Sequence, residues 1–189
     1  MVSLIQLPVR YLSQRDNRNP YTGKLDPHNQ CMVSSFVMLM NWIGDKSYHN
    51  FFINYSEELH LTLVGLNPKE LEKRRYNSFY HARICNTLLQ ETKVKLRFQT
   101  KDLNYSELQS LFQEVSSPVI VASLITTAGH ILVYLGDSWH DPYGKCSEET
   151  GQYSGKGFKS SGESIVYSEK FITKKIFKNQ RRRCWFLKE

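Results

Sequence analysis

Four side chains in this sequence, taken in chain order, are the parts of an amide-cleaving site: Gln14, Cys31, His130 and Asp141. A thiol attacks a carbonyl as thiolate. Free cysteine, with a pKa near ~8.5, supplies little of that form at neutral pH unless a helix N-terminus or a histidine lowers the value. Cys31 heads an apolar stretch of helical spacing. Its sulfur is therefore expected in the opening turn, where backbone N–H groups and the helix dipole favour negative charge. A cysteine on an apolar helix is more often a small buried hydrophobe, so position alone does not make it a nucleophile.

His130 opens an apolar strand behind Gly129, whose missing side chain would let another group come close. Asp141, in His140-Asp141-Pro142, falls just past the following strand, where it could orient the imidazole as the third member of a triad. Gln14 lies in the polar stretch Ser13-Gln14-Arg15-Asp16-Asn17 ahead of the nucleophile. A glutamine amide beside the nucleophile's own N–H is one way to complete an oxyanion hole.

The elements that must hold these groups can be read from pattern. Residues 8–30 form an extended entry segment and a long loop, with turns at Asn19-Pro20 and Asp26-Pro27. Met32, Val33, Phe36, Val37, Leu39, Met40 and Ile43 recur at helical spacing, and Gly44 is the expected stop. Apolar residues cover most of that circumference, which predicts a buried central helix. Further helices are expected after the Asn67-Pro68 cap, over 76–89 and from Ser106 to Val115. Strands follow at 118–122, 129–135 and 164–168, with a turn at Gly136-Asp137-Ser138. Helices first and strands second is an α+β order. The expectation is a single domain over 1–189: entry segment 1–30, mainly helical 31–115, mainly β 118–168, and a basic C-terminal segment 169–189.

Composition narrows the function classes. Hydrophobic residues make up 40% of the 189, an ordinary globular content. The formal charge of +7 lies wholly in residues 170–189, where eight basic residues face Glu189 alone. Such a segment suits contact with an anionic polymer, or is a solvated face. No stretch approaches the ~20 apolar residues of a membrane span. Met1 to Pro8 lacks the basic and apolar regions of a signal peptide, so the chain is expected to be made in the cytoplasm, with release to the cell wall as a later step. Cys31, Cys85, Cys146 and Cys184 are too scattered for a zinc site and read as reduced thiols. No cofactor or metal is expected.

The segments "LPVRYLSQRDN", "NPYTGKLDPHNQCMVSSFVMLMNWIG", "AGHILVYLG", "HDPYGKCSEETGQY" and "GESIVYS" together resemble the C39-like peptidase family, a branch of the papain-like cysteine peptidases. The resemblance spans most of residues 7–168, although the middle helical region matches only in pattern. It implies a papain-like fold, with a helical half carrying the nucleophile helix packed on a C-terminal antiparallel sheet. It also implies Cys31 as nucleophile, His130 as base, Asp141 as its orienter and Gln14 as oxyanion donor. Two features depart from the family. Only ten residues separate His130 from Asp141, which keeps Asp137 and His140 open for the orienting role. Met32 follows the nucleophile in place of a small residue, which would narrow the cleft.

The activity expected is peptide or amide hydrolysis, on peptidoglycan peptides as in an endolysin, or on a protein substrate in processing or deconjugation. A reading of a different class is a binding module that has lost catalysis. It would dock nucleic acid or a protein through Arg181-Arg182-Arg183 and Trp185. The neutral body argues against nucleic acid.

Overall fold

The apolar run after Cys31 becomes one long helix, α1 (Cys31–Ser47). Phe36, Met38, Leu39 and Met40 are wholly buried in it, and so are Ser34 and Ser35. A helix buried around its circumference belongs to the core. Gly44 does not end it: a glycine inside a helix costs only ~1 kcal/mol against alanine, which the burial of so many apolar neighbours outweighs. The structure, a computed structural model, describes residues 9–16, 31–47, 78–91, 94–126, 129–153 and 162–189. The expected turns at Asn19-Pro20 and Asp26-Pro27, the helix start at Asn67-Pro68 and the segment from Met1 to Pro8 lie outside these residues.

Two more helices follow as expected, α2 (Ser78–Glu91) and α3 (Tyr105–Val115). Asn104 starts α3 with a capping box: its side chain accepts from the Glu107 N–H, and the Glu107 carboxylate accepts from the Asn104 N–H, both at 2.9 Å. The strands are β1 (Arg97–Leu103), β2 (Val119–Ser123), β3 (His130–Tyr134), β4 (Trp139–His140) and β5 (Arg182–Lys188). They form one antiparallel sheet in the order β1-β5-β2-β3-β4. The fold class is α+β.

Period-2 alternation sends neighbouring side chains to opposite faces, and each face has its own core. Ile120, Ile131, Val133, Trp185 and Leu187 join α1 and α2 on one face. Val119, Val121, Leu132, Tyr134, Cys184 and Phe186 meet Leu108, Leu111 and Phe112 of α3 on the other. Met32 packs into the first of these cores.

β1 lies in sequence between α2 and α3, and α3 covers the sheet face opposite α1. Residues 164–168 do not form the last strand, and Ile165 makes only an isolated bridge to Trp139.

The largest revision concerns the basic segment, which forms β5 between β1 and β2 inside the sheet. Its charges sit at exposed positions and pair outward: Arg183 with Asp102, Arg181 with Glu107, and Lys188 with Glu114 at 2.6 Å. Trp185 is 2% exposed and so cannot stack on a nucleic-acid base. Among the described residues no helix is long and apolar enough to cross a membrane.

Trp185→Ala should cost about 3–5 kcal/mol of stability in urea unfolding, since it empties the space beside Phe36, whose ring centroid is 6.2 Å away. Charge reversal at Arg183 should leave the midpoint nearly unchanged, because exposed pairs contribute little. Comparable losses in both variants would contradict β5 as an inner strand.

Candidate active site

The sheet register decides which side chains can meet. Val133 pairs with His140 and Tyr134 with Trp139 across β3 and β4. Continuing that ladder one residue sets Asp141 opposite Leu132, on the same face as His130, and turns His140 to the other. Ten intervening residues are therefore enough. Nε2 of His130 lies 2.7 Å from Oδ1 of Asp141. His140 is excluded as the orienter: its Nε2 donates to the Val9 carbonyl at 2.8 Å and its Nδ1 accepts the Ser164 N–H at 3.0 Å. Burial keeps its pKa below the ordinary histidine value, so it is neutral. Asp137 is exposed at the hairpin turn and takes no part.

His130 is placed by what precedes it. Gly129 takes φ +81, and its N–H bonds the Thr126 carbonyl at 3.1 Å while Thr126 Oγ1 donates back at 2.7 Å. Glycine is needed there for the left-handed backbone rather than for close approach, since a Cβ would meet only the Ser123 carbonyl at 3.9 Å.

Cys31 opens α1 half-exposed, and its thiol lies near enough to the His130 ring for each to shift the other's pKa. Burial pushes the Cys31 pKa up. The hydrogen bond and charge of His130, with the Ile131 N–H, outweigh it and leave the thiol below its usual value. His130 shows the complementary effect. Burial alone would favour the neutral ring, but the charge and hydrogen bond of Asp141, and those of Cys31, push its pKa up to about 10. Both shifts run toward the charged forms, thiolate on Cys31 and imidazolium on His130.

Asp141 is wholly buried and its carboxylate is saturated with donors. Oδ1 accepts from the Tyr143 N–H at 2.9 Å as well as from His130. Oδ2 accepts from the Tyr153 hydroxyl at 2.8 Å and, at 3.5 Å, from the Tyr167 hydroxyl. Burial and the Asp141 charge raise both phenol pKa values far above the usual range, so both remain neutral donors. The backbone is pinned as well: the Asp141 N–H donates to the Gly162 carbonyl, and Tyr11 Oη donates to the Asp141 carbonyl, both at 2.8 Å. Gly162 has to be glycine, because a Cβ there would strike the Asp141 carbonyl and the Tyr11 hydroxyl.

Gln14 reaches the same loop from the other direction. It is buried, and its N–H donates to the carbonyl of Pro142, the residue after Asp141, at 2.9 Å. Of the residues singled out from sequence, His130 and Asp141 are joined by a hydrogen bond, Cys31 lies beside His130, and Gln14 is tied to their loop.

Tyr143, Tyr153 and Tyr167 were not foreseen. Tyr143 and Tyr153 meet the His130 ring edge-on at 6.3 and 5.6 Å. The signal available was faint: three tyrosines among eleven, each close in sequence to the "HDPYG" or "GESIVYS" segment. Among the described residues no group of three or more His, Cys, Asp or Glu is placed to hold a metal. Set against protein-family models, curated proteins and solved structures, the chain matches none of them.

Alkylation of Cys31 should begin below the ordinary thiol range and stay level until His130 loses its proton near pH 10. His130→Ala removes what lowers the thiol pKa and keeps the burial that raises it, so the onset should move upward. An unchanged onset, followed by mass spectrometry, would refute the ion pair. Tyr153→Phe deletes one donor to a buried carboxylate. It should cost about 1.5–3 kcal/mol in urea unfolding.

Proposed function

We propose that this chain is a cysteine hydrolase of papain-like mechanism, related to the C39-like peptidases, that cleaves peptide or amide bonds. The observation that carries the reading is the His130–Asp141 hydrogen bond set beside Cys31, with a lowered thiol pKa at one end and a saturated carboxylate at the other. A structural cysteine needs no such partner, and a buried thiol without one is shifted the opposite way. Cys146 and Cys184 are pushed up to about 11 and about 12, chiefly by burial.

The steps follow from the groups in place. The Cys31 thiolate adds to the carbonyl carbon, and the oxyanion is received by the Gln14 amide and the Cys31 N–H. The His130 imidazolium passes its proton to the leaving nitrogen as the C–N bond breaks, leaving a thioester. Water then attacks that carbon while His130 takes its proton. The C–S bond breaks, and thiolate and imidazolium are restored. Asp141 holds the ring in the orientation that serves both transfers and stabilises the imidazolium before the first and after the second. Peptidoglycan peptides are the first substrate class to examine, and a protein-processing substrate the second. The ion pairs of Arg181, Arg183 and Lys188 reduce the case for wall anchoring through these three side chains.

Incubation with purified peptidoglycan and with a fluorogenic peptide library should release new amino termini, and Cys31→Ala should abolish that release. Gln14→Ala should lower kcat by ~10²-fold with little change in KM. Full turnover in Cys31→Ala would overturn the mechanism. A loss confined to stability in Gln14→Ala would remove that residue from the oxyanion hole.

A further inference from the structure

The hydrolytic steps use one edge of the sheet and leave the other unused. His130 lies on β3 and Asp141 just past β4, whereas β1 closes the sheet on the opposite side. Three inter-strand spacings, roughly 14 Å, separate β1 from β3. Between β1 and α2 lies a cleft of about 510 Å³. Phe79, Arg83 and Asn86 line it from the helix, and Arg97, Phe98 and Thr100 from the strand.

The outer side of β1 is only partly occupied. The Asn86 side-chain amide donates to the Phe98 carbonyl at 3.1 Å and accepts the Phe98 N–H at 2.7 Å, as a residue of a neighbouring strand would. In an antiparallel strand every second residue turns both backbone groups to the same side. Thr100, two residues on, therefore turns its N–H and C=O outward. Thr100 is exposed, and among the described residues nothing bonds to either group.

The charges of the cleft share one sign. Arg97 is half-buried, and its Nη1 donates to the Val94 carbonyl and, at 2.7 Å, to the Leu96 carbonyl, which fixes the guanidinium without neutralising it. The exposed Arg83 holds its guanidinium carbon 5.7 Å from the centre of the Tyr80 ring. Among the described residues no carboxylate lines the cleft or pairs with either arginine. Lys101 is exposed on the same strand, and Asp102 is taken by Arg183. Such an edge repels a second copy of itself, since like cations would meet, and attracts an acidic strand.

We propose that this cleft docks an extended acidic segment of a partner protein, which adds to β1 at Thr100 as a further strand and sets its carboxylates against Arg83 and Arg97. In such an addition the main-chain bonds give affinity, and the alternating side chains give specificity. Arginine suits the second task because its planar fork matches a carboxylate. Phe79, 59% exposed, offers an apolar contact to the residues between the acids. Docking here needs no catalysis by Cys31.

The probe is a fluorescein-labelled Glu-Val-Glu-Thr-Glu-Val amide, titrated with the full chain at low salt and followed by anisotropy. The peptide with lysine in place of each glutamate should bind about tenfold or more weakly, the worth of one hydrogen bond to a charged group. The acidic peptide with its amides N-methylated keeps every charge but cannot donate to the Thr100 carbonyl, and should weaken by a similar factor. Arg83→Glu should do the same to the unmodified probe. Thr100→Pro deletes the outward N–H at an edge position, where proline is tolerated, and should also weaken it. Cys31→Ala should bind as the wild type does. Equal binding of the acidic and lysine peptides, full binding of the N-methylated peptide, or no effect of Arg83→Glu would overturn the docking site. Loss of binding in Cys31→Ala would overturn it by moving the probe to the active site. A dimer in sedimentation that Thr100→Pro dissolves, with no probe bound, would overturn it in favour of a second copy.

Discussion

Everything at this site depends on keeping an imidazole protonated while it is only 7% exposed. Burial opposes that charge, and a buried ion loses several kcal/mol of solvation even after the protein relaxes. One hydrogen bond to a charged group returns about 1.5–3 kcal/mol. A single aspartate with its other oxygen bare would therefore not suffice, since it would be a second buried charge needing its own compensation. The structure meets this with a relay of donors: Tyr143 N–H, Tyr153 and Tyr167 all supply the carboxylate that holds His130. The tyrosines act on the thiol at two removes. They make Asp141 tolerable, which makes the imidazolium tolerable, which makes the thiolate possible.

Much of the chemistry was legible because residue type and order carry it. Cys31 at the head of a circumferentially apolar run and His130 at the head of a β-branched run announce their elements. Choosing Asp141 over His140 needed the β3–β4 register, and one step along a strand moves a side chain to the opposite face. The tyrosines were hidden because their link to Asp141 spans 12 and 26 residues of chain that no local pattern connects.

The sheet was harder to read than the site, for a related reason. β1 reads Arg97-Phe98-Gln99-Thr100-Lys101-Asp102-Leu103, a polar strand with only Phe98 and Leu103 buried, so its apolar signal is weak. β5 has the opposite disguise. Four successive residues, Cys184 to Leu187, are buried because both faces are covered, and that removes the alternation that marks a half-exposed strand. The arginines ahead of them then suggest a solvated tail. Their partners, Asp102 and Glu107, are supplied by β1 and α3, segments that only the fold brings alongside.

The inner place of β5 has a consequence for the life of the chain during synthesis. Cys31 is made first and the strand that completes both cores begins 151 residues later, at Arg182. Until then β1 and β2 have no common neighbour, and neither apolar layer is closed. Assembly of the Cys31–His130–Asp141 group is thereby coupled to closure of the whole sheet rather than to any local element.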